Sequence, residues 1–315
     1  MNFQKKYLKS ALKFVISFSI LAYLLFFKVP VAGILAHIKN AVFIWILLSF
    51  SLHAIGLLIS AVRWKILIQA QGDSVPLAYL AQSYLVGTFF NNFLPTRFGG
   101  DAVRIWDGSR YSRSLLGSTA VVLIERLTGI IILLFFSLAA SLLRLDMARR
   151  VPVIWVSLAV GLFGLACIGL FFLPPGEKLL SLLPEKGWMA KLRLKINEFR
   201  KTGLVYKEKK AAFLKALFWA FLLQVNVIVH YYLVGIALGL AIPFSDYFIF
   251  IPIVLIILTI PITLGGHGAR ELLYVQIFSF YAVSGSAALA FSAIADVAFT
   301  LIIGIIGGII FFLRK

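Results

Sequence analysis

Leu94-Pro-Thr-Arg-Phe-Gly-Gly-Asp-Ala-Val-Arg104 aligns without a gap on Ile260-Pro-Ile-Thr-Leu-Gly-Gly-His-Gly-Ala-Arg270, at a constant offset. The proline, both glycines and the closing arginine coincide. Pro-x-x-x-Gly-Gly ends one helix and lets the backbone turn sharply before the next, because proline lacks an amide donor and glycine tolerates left-handed φ. Each copy lies between long apolar runs. Irregular backbone at membrane depth survives only where protein or a wet cavity satisfies its polar groups. Two matched breaks of this kind predict the discontinuous helices of an internally repeated membrane protein.

Six windows reach the roughly 20 apolar residues that a spanning helix needs: Leu8–Phe27, Ala41–Val62, Leu116–Leu143, Pro152–Leu173, Ala211–Leu240 and Ala287–Leu313. Two weaker windows, Pro76–Pro95 and Phe248–Leu264, are interrupted by Pro and Gly. Hydrophobic residues make up 62% of the chain and charged residues 13%, and the mean hydropathy is +1.01. Long apolar runs exclude an outer-membrane barrel, whose strands alternate. The net charge of +18 sits in short loops and at the N-terminus, where it sets orientation, so no nucleic-acid partner is expected. Cys167 is the single cysteine, and four scattered histidines give no metal spacing. No metal or other cofactor is expected. Lys5, Lys6, Lys9 and Lys13 precede an apolar run too long for a signal peptide, so a retained first helix is expected.

Basic loops face the cytoplasm. This places 174–210, rich in Lys and Arg, inside together with both termini; Arg144, Arg149 and Arg150 run against that scheme. Counting crossings, the stretch from Pro76 to Arg113 starts and ends inside, and the stretch from Phe248 to Ser286 starts and ends outside. The expected fold is therefore all-α: one polytopic bundle over 1–315, with about six spans and two opposed re-entrant hairpins forming an inverted repeat. Its halves are 1–173 and 211–315, with 174–210 as a basic cytoplasmic loop. The location is a bacterial or archaeal cytoplasmic membrane.

The half-helices starting near Asp101 and His267 present free N–H groups and a positive dipole end, which suit an anion such as a lipid phosphate. Arg97, Arg104 and Arg270 add charge beside Gly99, Gly100, Gly265 and Gly266, which makes these residues the candidate substrate site. Ionisable residues inside spans face a cavity or one another. Glu125, Glu271 and Asp296 are expected to pair with Arg97, Arg104, Arg126 and Arg270, either around a central cavity or as structural locks. Glu271 adjoins Arg270, and neighbours in a helix do not face each other, so its partner is expected elsewhere. Asn91 and Asn92 cap the broken helix or touch substrate. Asn226 and His230 share a helix face and line the cavity or glue helices.

Arg63-Trp64, Asn91-Asn92-x-x-Pro95, Gly99-Gly100-Asp101-x-x-Arg104, Glu125-Arg126 and Pro261-x-x-x-Gly265-Gly266-x-Gly268-x-Arg270-Glu271 resemble the flippase-like transmembrane family. This is the membrane region of bacterial lysylphosphatidylglycerol synthases, or multiple peptide resistance factors. The resemblance covers nearly the whole chain. In the bifunctional synthases a soluble aminoacyl-transferase domain follows; here the chain reaches Lys315 directly after the last apolar window, so only the translocating half is carried over. The resemblance implies a non-enzymatic translocator of an anionic phospholipid, an aminoacyl-phospholipid or a polyprenyl-phosphate-linked lipid. Its partners would be membrane lipids, a lipid-modifying enzyme and further copies of the chain. The rival reading is a membrane-embedded isoprenoid-lipid transferase or an accessory subunit of a lipid-modifying enzyme.

Overall fold

The computed structural model describes residues 14–93, 99–143, 145, 149, 153–172, 178, 187–260, 263 and 265–314. All regular structure among them is helical. In chain order the helices are α1 (Phe14–Lys28), α2 (Val31–Lys39), α3 (Phe43–Ala70), α4 (Leu77–Phe93), α5 (Gly99–Ser112) and α6 (Leu115–Leu143). They continue with α7 (Val153–Phe172), α8 (Gly187–Glu208), α9 (Lys210–Ala237), α10 (Phe244–Ile257), α11 (Ala269–Ser279) and α12 (Gly285–Leu313).

Among the described residues four helices are long and apolar enough to cross a membrane, namely α3, α6, α9 and α12, and α1 with α2 makes a fifth candidate bent by 88°. These four match four of the six expected windows. The window Pro152–Leu173 contains the 20-residue apolar helix α7. Exposed Phe43, Leu47, Leu58, Phe163, Ile305 and Ile309 stud the outer faces, as a lipid solvent requires. The basic segment 174–210 was expected to be a loop; residues 187–208 instead form the helix α8. Tyr206 anchors α8, buried against Trp64 and Leu67 and donating to the Leu67 carbonyl at 2.8 Å.

Two short helices follow a long one in each half. The lengths run 28, 17, 14 and 29 residues for α3 to α6, and 28, 14, 11 and 29 for α9 to α12. The packing is also exchanged: α3 lies along α9, α4 along α12, and α10 along α6. Each short pair has its own apolar core. Trp64, Leu67, Leu80, Val121 and Ile124 enclose the first, and Tyr247, Phe250, Tyr274, Phe278 and Phe291 the second. Beyond its first turn α10 is apolar on all sides and mostly buried, which fits a helix wrapped by others.

Small residues allow the closest approaches. A Cβ at Gly307 would fall on the Leu85 carbonyl oxygen, and one at Gly304 on the Asn92 amide. These positions let the antiparallel α12 and α4 touch backbone to backbone. The second hairpin is more splayed than the first, with α11 lying mainly on the start of α12 rather than on α10.

Candidate functional site

Sequence-distant charges meet in two buried clusters. The first draws on α3, α4, α5 and α6. Glu125, 2% exposed, accepts from Arg63 Nη2 at 2.8 Å and also from Arg104 Nη2 and the Tyr84 hydroxyl. Arg104 lies over the rings of Tyr84 (4.0 Å) and Trp64 (4.6 Å). Its Nη1 is 3.6 Å from Asp101, which also binds Arg126. Three guanidinium groups, Arg63, Arg104 and the 39%-exposed Arg126 at the rim, thus face two carboxylates, an excess of one positive charge among the described residues. Arg63 Nε and Nη1, Arg104 Nε and Trp64 Nε1 are buried and make no hydrogen bond.

The first hairpin tip is organised above this cluster. Asn91 Oδ1 accepts the Gly100 N–H at 2.7 Å, satisfying one of the free amides in the first turn of α5. A Cβ at Gly100 would meet the Gly87 carbonyl and the Asn91 side chain, both at 2.6 Å, so only glycine lets α5 fold back this tightly. Asn92 donates to the Thr300 carbonyl at 2.8 Å, tying the tip to α12. Arg97, with Pro95 and Pro261, lies outside the described residues.

The second cluster draws on α9, α11 and α12. Gly265, Gly266 and Gly268 hold φ of 59°, 83° and 83°, and this left-handed run delays the helix to Ala269, two residues beyond the expected His267. Glu271 Oε2 accepts the Gly268 N–H at 2.6 Å, capping α11 from within. Its Oε1 accepts from Ser292 at 2.9 Å and from Arg270 at 3.0 Å. The expectation that Glu271 pairs away from Arg270 is therefore incorrect. At a helix N-terminus the glutamate turns back towards its own cap, and the long guanidinium reaches round to it. Arg270 also faces Asp296 at 3.4 Å and His267 Nδ1 at 3.3 Å. Tyr231 donates to Asp296 at 2.7 Å. Asp296 lies in a π-helical stretch, Ala293–Ala298, a local irregularity frequent at functional sites.

His230 is bonded to Ser49 Oγ at 2.7 Å and to the Ala295 carbonyl at 3.2 Å, and Asn226 to the Leu52 carbonyl at 2.9 Å. Both tie α9 to neighbouring helices. Arg104 and Arg270 do not meet: Gly307 touches Leu85 and Thr300 touches Asn92, so Tyr84 stands level with about residue 308. Asp296 is then about 18 Å away along α12 at 1.5 Å per residue.

Several participants were not picked out as site residues from the sequence, among them Tyr84, Tyr231 and Ser292. Arg63 ends an apolar window and reads as an interfacial charge; its signal is the buried face it shares with Ser60, Trp64 and Leu67. Arg314 binds Asp107 at 2.9 Å, Gln82 and the Tyr79 carbonyl, fastening the end of α12 to the base of the first hairpin. Asp107 in turn accepts from Ser83.

The family described as the lysylphosphatidylglycerol synthase TM region matches residues 10–308. A UPF0104 membrane protein of Pyrococcus horikoshii is 26% identical over 273 residues, covering 79% of this chain and 80% of the relative. Another, from Methanothermobacter thermautotrophicus, is 25% identical over 279 residues, covering 78% of each.

Proposed function

This chain belongs to the lysylphosphatidylglycerol synthase transmembrane-region family, and from that premise we propose that it carries an anionic phospholipid head group across the membrane. The observation that carries the reading is the set of unbonded guanidinium N–H groups on Arg63 and Arg104. A buried donor without an acceptor costs about 1–3 kcal/mol, more when charged, and in lipid no water is at hand to relieve it. A phosphodiester supplies both things that are missing: oxygen acceptors and one negative charge. Trp64 and Tyr84 pack against the Arg104 guanidinium, whose Nε is left without an acceptor for such a ligand. The single excess charge favours a phosphodiester monoanion such as phosphatidylglycerol over a diphosphate-linked carrier.

The acyl chains remain in an apolar path. A groove of about 380 Å³ between α6 and α7 is lined by Leu134, Phe135, Leu138, Trp155, Leu158 and Leu162. The two halves act as an inverted repeat, supported by the matched helix lengths and exchanged packing partners, with their breaks as opposed re-entrant tips. Both termini lie on the cytoplasmic side of the cell membrane. The protein is a carrier and not an enzyme.

Proteoliposomes containing labelled phosphatidylglycerol or labelled phosphatidylcholine test this. Wild type moves the anionic lipid between leaflets without added nucleotide. Arg104→Gln, which removes a charge-assisted contact of about 1.5–3 kcal/mol, slows it at least tenfold without altering background movement of the zwitterionic lipid. Equal movement of both lipids, insensitive to the substitution, would reject the reading.

A further inference from the structure

The second cluster carries the opposite imbalance. Among the described residues it holds one guanidinium, Arg270, and two carboxylates, Glu271 and Asp296. Glu271 is fully engaged, by Arg270, Ser292 and the Gly268 amide. Asp296 is not: Oδ1 accepts from Tyr231, whereas Oδ2 is shut away from solvent with no partner. Tyr274 is wholly buried, interacts with the same Asp296, Arg270 and Tyr231, and its hydroxyl makes no hydrogen bond of ordinary geometry.

The groups facing Asp296 come from several elements. α11 supplies Arg270, Glu271 and Tyr274, with His267 behind the guanidinium. α9 supplies Tyr231 and His230, and α3 supplies His53, edge-on to His230 at 5.3 Å between ring centroids. Both His230 ring nitrogens are held, by Ser49 and the Ala295 carbonyl. Arg270 is divided between two carboxylates. One negative charge is left over, on the side chain with the orphan oxygen.

A buried carboxylate in excess of its cations is neutralised by what it takes up. A sodium ion needs several oxygen ligands and would sit beside the Arg270 guanidinium. A proton needs one oxygen, and Oδ2 is that oxygen. We propose that Asp296 is a proton-binding site whose loading is coupled to movement of the lipid head group at the Arg63–Arg104 cluster. The coupling rests on the translocation reading; the proton site does not. The Asp296 carboxylate takes one proton from bulk water to become a neutral acid and returns it to water on release. A lipid monoanion at the first cluster and a proton at the second leave each cluster neutral, so one of each crosses together without net charge. A gradient of one pH unit then sustains a tenfold ratio of lipid between leaflets.

Two measurements test this, one of them independent of lipid movement. Thermal unfolding of the purified full chain is followed between about pH 8 and pH 5.5. A folded state that holds a proton the unfolded state has released is more stable at lower pH and loses that stability as pH rises. His53 and His230 are common to both proteins, so the reading is the difference between them: the stability of wild type relative to Asp296→Asn grows on acidification. In the second measurement, phosphatidylcholine vesicles with trace fluorescent phosphatidylglycerol receive a pH gradient at clamped membrane potential. Wild type shifts the labelled lipid about tenfold per pH unit, which tests the coupling even where Asp296→Asn does not fold. Active lipid movement with a difference between wild type and Asp296→Asn that does not change with pH would overturn the proton site alone. Redistribution that follows a sodium gradient and ignores pH would overturn it as well. A pH-dependent stability with no lipid movement would overturn the coupling together with the translocation reading.

Discussion

Glu125→Ala removes the one carboxylate that Arg63 touches among the described residues. Arg63 makes a single hydrogen bond, to Glu125 Oε1, and its remaining nitrogens are already unbonded. Arg104 fares better, because Asp101 stays within 3.6 Å. The Tyr84 hydroxyl loses its acceptor as well. Breaking a buried pair from one side costs about 3–5 kcal/mol, because a charge is left uncompensated. The loss therefore falls chiefly on Arg63, and removing Arg63 as well should restore part of it. Glu125→Ala is expected to lower stability by about 3–5 kcal/mol, and Arg63→Met with Glu125→Ala by less than the sum of the two single changes. The coupling between them should be about 1–3 kcal/mol. Thermal unfolding in detergent, followed by size-exclusion chromatography, reads all four proteins of the cycle. A Glu125→Ala protein as stable as wild type, or losses that simply add, would refute the shared-carboxylate account.

Gly307→Val should abolish recovery of folded protein, since its side chain meets the Leu85 backbone, whereas Gly164→Ala, with nothing within 4 Å, should leave yield and melting temperature unchanged or slightly raised. Asn91→Ala removes the acceptor of the Gly100 amide and should cost about 0.5–2 kcal/mol, seen as a lower melting temperature. Single cysteines at Gly72 and Tyr111, flanking the first hairpin, should react with an impermeant thiol reagent from the same face; labelling from opposite faces would contradict the re-entrant arrangement.

Much of the helical plan was legible because lipid leaves little choice: α3, α6, α9 and α12 fall in windows set by hydropathy alone. The Pro-Gly-Gly breaks located both short pairs, since nothing else explains such residues between apolar runs. Charge pairing was legible as a need but not as a map. Glu125 at mid-span announces a partner, yet that partner includes Arg63, whose place at the end of a window imitates a topological signal. Periodicity also misjudged Arg270 and Glu271. A rule for helix interiors does not hold at a first turn, where Glu271 bends back to the Gly268 amide. The basic segment read as a loop because its charges dominate, while its docking depends on Tyr206, one side chain in contact with α3.

The central claim is that the unbonded edges of Arg63 and Arg104 receive a lipid phosphate. Solid-state NMR on protein with 15N-labelled arginine in phosphatidylglycerol bilayers measures this as dephasing of guanidinium nitrogen by lipid phosphorus. The account predicts strong dephasing of the Arg63 and Arg104 signals, as for directly hydrogen-bonded groups, and its loss in phosphatidylcholine bilayers. Arginine signals that dephase only at the surface-exposed positions, with Arg63 and Arg104 unaffected by phosphorus, would contradict it.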